Sequence, residues 1–159
     1  MLMPFPRIAA ACALALAAGS AAAAPDSAMI DRGRYLVQIV GCNDCHTPNY
    51  ALSDGKVPEA AWLTGDALGW NGPWGTTYPS NLRLSMTAMS EAAWVKAARH
   101  AAYRPPMPSV SLRTMTDRDL RAIYRFVRSL GPAGEAAPAY LPPGTEPQGP
   151  VVRFPAPKG

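Results

Sequence analysis

Cys42-Asn43-Asp44-Cys45-His46 places two thiols three residues apart with an imidazole directly behind them, and its flanks decide what such a cluster can belong to. Ahead of it, Ala28 to Val40 sets Met29, Leu36, Ile39 and Val40 at helical spacings, with Ser27 as the cap and Gly41 as the stop. The motif therefore follows a first helix. Behind it, from Thr47 to Thr87, Pro48, Asp54-Gly55, Pro58, Gly65, Gly69, Gly72-Pro73, Gly75 and Pro79 interrupt every run that could become a long element. A stretch of about 40 residues exceeds an ordinary connection, so something other than its own secondary structure must hold it.

Residues 1–24 read as an address. Arg7 precedes an apolar run from Ile8 to Ala18 and then small residues with Ala-x-Ala spacing, the layout of a cleaved secretory signal peptide. Pro25 makes a cut after Ala24 awkward, so Ala22 or Ala23 is the expected end of the leader, and Cys12 leaves with it. The mature chain then keeps two cysteines, both in the motif, and its formal charge falls from +4 to +3. So small a charge, with no run of Lys and Arg among aromatics, gives no reason to expect nucleic acid. The sequence is too short in apolar runs for a transmembrane anchor, and 13 Gly with 18 Pro is too much loop for a helix bundle. One small domain fits the length.

A C-x-x-C-H after a helix in an exported chain reads as a site of covalent c-type haem attachment. Two thiols at this spacing can each reach one vinyl group of the same porphyrin, while the adjacent imidazole lies where it can bind iron from one face. The tethered group can then serve as the core on which the loops fold. A redox dithiol would want a βαβ setting. A structural zinc site would need four ligands, leaving distant His100 to join Cys42, Cys45 and His46, and a plain disulfide needs no following His.

Downstream, Ser90 is read as the N-cap of a second helix running to about Ala102, with Met89 and Trp94 as a hydrophobic staple. Thr116 opens a third, with Asp119 in a capping-box position and Met115 facing Leu120. On that helix Leu120, Ile123, Phe126, Val127 and Leu130 share one arc, while Arg118, Arg121, Arg125 and Arg128 occupy the other, read as a solvated face. Gly131-Pro132 ends it. Eight prolines among the last 29 residues describe a segment that drapes or extends but does not pack into a core.

A second iron ligand is sought among Met86, Met89, His100, Met107 and Met115. Met89 and Met115 are taken as staples, Met86 has no special backbone around it, and a His near a helix C-terminus needs no metal. Arg104-Pro105-Pro106-Met107-Pro108 holds a thioether in a stiff, non-helical frame, which favours Met107 and keeps His100 as the alternative.

With these residues in hand, the chain resembles a monohaem class I cytochrome c. Its half from Ser90 to Gly131, with a ligand loop at Arg104-Pro105-Pro106-Met107-Pro108 and a final helix opening at Met115-Thr116-Asp117, is similar to cytochrome c domains that serve bacterial periplasmic dehydrogenases. The resemblance implies an all-α fold of three or more helices and long loops around one haem c. It implies thioethers at Cys42 and Cys45 and axial iron ligands at His46 and Met107. The first and last helices would cross at Gly33, with Tyr35 against Ile123 or Phe126. The Pro-x-Asn-Leu portion of the Gly69–Arg83 loop looks like one that lies against haem in relatives, which makes Trp70, Trp74, Tyr78, Asn81 and Arg83 candidate haem contacts. The resemblance covers roughly residues 28–131, and with the leader the expected domains are 1–24, a cytochrome c domain at 25–131 and an extension at 132–159, packed on the domain or tethered to it. Dehydrogenase subunits of this kind usually carry several C-x-x-C-H motifs; this chain has one.

The expected function is periplasmic electron transfer rather than enzymatic catalysis, with a dehydrogenase as donor and an oxidase or another cytochrome as acceptor. Met beside His fills both axial positions and raises the reduction potential. Two further readings are a dedicated cytochrome subunit or docking module of a dehydrogenase complex, and a gas-binding or peroxide-reducing haem protein. The last would need Met107 off the iron.

Overall fold

The computed structural model describes residues 24–155. The leader expected at 1–24, Cys12 included, lies outside the described residues save for Ala24, as do the last four residues. Within the described residues are six helices: α1 Ala24–Ile39, α2 Cys42–His46, α3 Leu82–Thr87, α4 Glu91–Arg99, α5 Ser109–Thr114 and α6 Asp117–Ser129. A 3-10 turn spans Glu59–Ala61, and three short strands are β1 Gly69–Gly72, β2 Gly75–Thr77 and β3 Val151–Arg153.

The chain is mostly helical, and the small sheet is a departure from an all-α fold. β1 and β2 form an antiparallel hairpin, and β3, some eighty residues later, lies parallel to β1 in the order β2-β1-β3. The outer edge of β2 meets Leu141 in an isolated bridge at Thr76. The Pro-rich tail thus pairs with both edges of the hairpin, through one bridge and one three-residue strand. Neither is long enough to show a period-two pattern in sequence.

α1 packs along α6 in the most extensive helix contact of the described chain. Met29 and Ile30, Gly33, then Leu36 and Val37 recur every three or four residues and form the α1 stripe. It meets Ala122, Ile123, Phe126 and Val127 of α6, all buried. Gly33 allows the close approach. Tyr35 does not join: two residues from Gly33 is about 200° around the helix, and its ring is 50% exposed beside Arg32. The aromatic partner of Phe126 is Trp62, edge-on at 6.2 Å. Ser27 is not a cap, because it lies inside α1, which includes Ala24–Ile39.

α4 starts where its cap predicts, with Ser90 Oγ accepting from the Ala93 amide, and stops at Arg99, three residues short of the expected end. Trp94 sends its indole N–H to the Leu120 carbonyl at 2.8 Å and so fixes α4 on α6. Thr116 Oγ1 accepts from the Asp119 amide, yet the Asp119 carboxylate goes to Arg32 at 3.0 Å rather than back to the cap. The arginines opposite the apolar arc are not merely solvated: Arg121 and Arg125 clasp Glu91, and Arg128 donates to the carbonyls of Met86 and Thr87. The α6 C-terminus is closed by Arg83, which is 6% exposed and donates to Leu130 and Gly131 carbonyls and, at 2.7 Å, to that of Ala60. A guanidinium there satisfies orphan carbonyls at the negative end of the dipole.

Candidate functional site

Gly41, at φ +74°, turns the chain out of α1 and caps α2, so that the C-x-x-C-H becomes a single helical turn. On such a turn positions i and i+3 share a face, which sets Cys42 and Cys45 side by side as two free thiols, both part-buried. Ile39 and Val40, immediately before them, are 57% and 37% exposed. Two exposed apolar residues thus lead directly into the motif.

His46 is buried, and its Nδ1 stands 2.7 Å from the Ser80 carbonyl oxygen. A carbonyl can only accept, so Nδ1 carries the proton. Burial pushes the imidazole below the usual histidine range while the Ser80 carbonyl opposes that shift. The ring is thus neutral near pH 7, and its other nitrogen, Nε2, keeps a lone pair. This is how a metal-ligating histidine is oriented: one ring nitrogen fixed by a backbone carbonyl, the other presented as donor.

The floor beneath the turn is a polar network that the sequence did not announce. Thr47 Oγ1 donates to Asn43 Oδ1 at 2.7 Å and accepts from the Leu63 amide at 2.8 Å, all three residues being fully buried. Gly65 donates its amide to the His46 carbonyl, and the Leu63 carbonyl accepts from Leu82. The loop from 62 to 65 and the start of α3 are thereby locked to the motif.

Burial pushes the Cys42 thiol up to about 12, with Asp44 adding to it, and burial, Asp44 and Asp66 also raise Cys45. Both stay protonated at neutral pH, the reverse of what a redox dithiol needs. A thioether has no proton to lose, so the same burial suits sulfurs that have been alkylated. Among the described residues, no three His, Cys, Asp or Glu side chains gather into a metal-binding group.

The remaining candidates fall into two sets. Asn81 and Arg83 have structural partners: Asn81 caps α3 through the Leu84 amide and donates to the carbonyls of Ala133 and Glu135, while Arg83 closes α6. Trp70, Trp74 and Tyr78 stay together on and after the hairpin. Trp74 donates weakly to the Trp70 carbonyl at 3.4 Å, and Phe154 of the tail lies against both indoles. The Trp70 indole N–H is buried and has no hydrogen-bond acceptor among the described residues.

Met107 is part-buried against the core, in a turn closed by its amide on the Arg104 carbonyl at 3.2 Å. Met86 is a fully buried core residue, and Met89 and Met115 pack against the core at helix starts. His100 caps α4, exposed, with Nδ1 on the Lys96 carbonyl.

Residues that sequence reasoning missed are Thr47, Asn43, Leu63 and Ser80. Ser80 acts through its backbone, for which no side-chain signal exists. Leu63 has φ +62°, which for a leucine gives no warning in sequence.

The chain is 32% identical over 123 residues to a nicotinate dehydrogenase subunit of Pseudomonas putida, a match covering 71% of this chain and 10% of that protein. It is also 32% identical over 114 residues to the fructose dehydrogenase cytochrome subunit of Gluconobacter japonicus, covering 67% of this chain and 23% of that protein. It thus spans from a tenth to under a quarter of the length of these curated relatives. No protein-family model matches the chain. No solved structure matches it.

Proposed function

We propose that the chain is a c-type cytochrome module of the class I kind, carrying single electrons in the service of a periplasmic dehydrogenase. The observation that carries this reading is the His46–Ser80 hydrogen bond within a C-x-x-C-H turn, because it turns a sequence motif into an oriented ligand. Similarity to one protein named as a cytochrome subunit and to another named as a dehydrogenase subunit supports it.

Bound haem would supply a one-electron redox centre at this site. The chain does the rest. Cys42 and Cys45 would hold the porphyrin edge through thioethers, and His46 would give Nε2 to iron with its ring angle set by Ser80. Met107 would give its thioether as the second ligand. Ile39 and Val40 would cover apolar surface beside the thioethers, and the Trp70 N–H could satisfy a carboxylate oxygen of the group. If His46 and Met107 both go to the iron, the chain would leave no position on it for a substrate, and its role would be transfer rather than catalysis. Since both relatives are dehydrogenase subunits, a dedicated partner within such a complex is the second reading, with a free shuttle as its counterpart.

The test is covalent attachment. Expressed in a bacterium that matures exported c-type cytochromes, the protein should keep its colour through acidic acetone and give a haem-staining band after denaturation, and Cys42→Ala with Cys45→Ala should abolish both. Colour passing entirely into the organic phase would overturn the reading. Co-elution of the native protein with a dehydrogenase on gel filtration separates the dedicated partner from the shuttle.

A further inference from the structure

The turn that carries Met107 is poorly able to hold itself. Tyr103 to Pro106 are exposed, two of those residues are prolines without an amide proton, and the local closures are Met107 N to Arg104 O, Ser109 N to Met107 O and Tyr103 N to Ser109 Oγ. What fixes it comes from elsewhere in the chain. Thr77, the last residue of β2, donates its hydroxyl to the Pro105 carbonyl at 2.8 Å. On the other side the Arg104 guanidinium lies over the ring of Tyr140, with Cζ 3.7 Å from the ring centroid.

Tyr140 is itself anchored. Its hydroxyl donates to the Trp74 carbonyl at 2.9 Å, and its neighbour Leu141 exchanges both backbone hydrogen bonds with Thr76, at 2.8 and 3.0 Å. At Gly75 a side chain would stand 2.2 Å from the Leu141 carbonyl oxygen, so tail and hairpin meet backbone to backbone. The hairpin and the first part of the tail therefore form one rigid piece, and Met107's turn hangs from it by Arg104 and Pro105.

We propose that Tyr140 and Thr77 are positioning residues for Met107: they hold the Arg104–Met107 turn in place and so set how readily its thioether leaves the iron. This rests on Met107 being the second axial ligand. A thioether that is tethered only by its own loop is easily displaced by an outside ligand. The apparent affinity of such a competitor rises in proportion to the fraction of molecules in which Met107 has let go.

The experiment uses the haem-loaded full chain in the ferric state, with imidazole as competitor, followed by the weak far-red band of an iron–thioether bond. Met107→Ala is the reference and should lose that band and bind imidazole most tightly. Tyr140→Leu and Thr77→Val should each tighten imidazole by roughly fivefold, the factor that follows from losing one cation–π contact or one hydrogen bond. Tyr140→Phe keeps the ring under Arg104 and should restore most of the difference. Arg104→Gln reaches the same contact from the loop side, without touching the tail, and combined with Tyr140→Leu should add little further change. Arg153→Ala, which removes the tail's ion pair with Glu146, should leave imidazole affinity unaltered. If Met107→Ala keeps the far-red band, the ligand assignment fails and the proposal with it. If that variant loses the band but the Tyr140, Thr77 and Arg104 variants stay within twofold of the parent, the proposal alone is overturned.

Discussion

Gly33 of α1 and Ala122 of α6 meet so closely that a methyl group on Gly33 would stand 2.0 Å from the Ala122 carbonyl oxygen and 2.6 Å from Phe126 Cβ. Neither atom is the end of a flexible side chain. Relief would require the two helices to part along the seam where Leu36, Val37, Ile123, Phe126 and Val127 are buried.

Gly33→Ala should therefore destabilise the protein by about 1–3 kcal/mol or more, the usual cost of overpacking, although alanine is the better helix former by about 1 kcal/mol. Urea denaturation followed by far-UV circular dichroism measures it. An unchanged or raised midpoint would mean that the crossing repacks freely.

Arg83 presents a different kind of buried dependence. Its guanidinium serves three carbonyls, those of Ala60, Leu130 and Gly131, from a nearly closed site. Arg83→Met fills similar space but leaves those acceptors without the donor, at about 1–3 kcal/mol for each that finds no water. A loss of about 3 kcal/mol is expected, with Arg83→Lys recovering only part because one ammonium cannot replace a planar fork. A loss under about 0.5 kcal/mol in Arg83→Met would show that water takes over all three carbonyls.

How much of this could be read from sequence depends on where the determining signal resides. Ser90 and Thr116 were legible as caps because a hydroxyl before an apolar-periodic run has a local geometric job, and the arc from Leu120 to Val127 was legible because helical burial repeats every 3.6 residues. The C-x-x-C-H was legible through spacing alone. Ser80 was not, since its contribution is a carbonyl brought to His46 from thirty-four positions further along the chain. The pairing of β3 with β1 was hidden for a similar reason: Val151–Arg153 is three residues of strand whose partner lies some eighty residues back. Tyr35 shows a limit of another sort, as it is an aromatic on the right helix whose angular position faces away from the seam. Asn81 and Arg83 sit in a loop that resembles a haem-contacting one, yet their contacts are with the tail and the end of α6.

The arginines of α6 give a pH signature. Glu91 accepts from Arg125 at 2.9 Å and Arg121 at 2.8 Å, and its carboxyl is held below its ordinary range chiefly by Arg125, with burial opposing and Arg121 adding. A depressed folded value means that the clasp contributes fully above the unfolded carboxylate value of about 4.3. The contribution is lost as pH falls through the lower folded value. Because the arginines are about two-fifths exposed, the pair is worth roughly 0.2–1 kcal/mol. Glu91→Gln should cost about that at pH 7 and converge on the parent near pH 2 in thermal melts. An equal difference at both pH values would assign the effect to packing instead.

Removal of the tail should act in two stages, because its two halves hold different things. Cutting after Gln148 removes β3, the bonds from Gly69 N to Pro150 O and from Phe154 N to Asn71 O, and the Phe154 ring against Trp70 and Trp74. Those gains of about 1 kcal/mol per bond are offset by the freedom the released residues regain, about 1–2 kcal/mol for each backbone fixed, so the net loss should stay within about 2 kcal/mol. Cutting after Pro132 also takes Ala133 and Glu135, the acceptors of the buried Asn81 amide, together with Tyr140 and the Leu141 bridge. It takes both acceptors from the Asn81 amide at the start of α3, next to Ser80, whose carbonyl orients His46. The longer cut should cost at least about 2 kcal/mol more than the shorter, read from denaturant midpoints of the two truncations. Equal loss in both would place the tail's whole contribution in β3, and no loss in either would make the segment a tether whose contacts carry no stability.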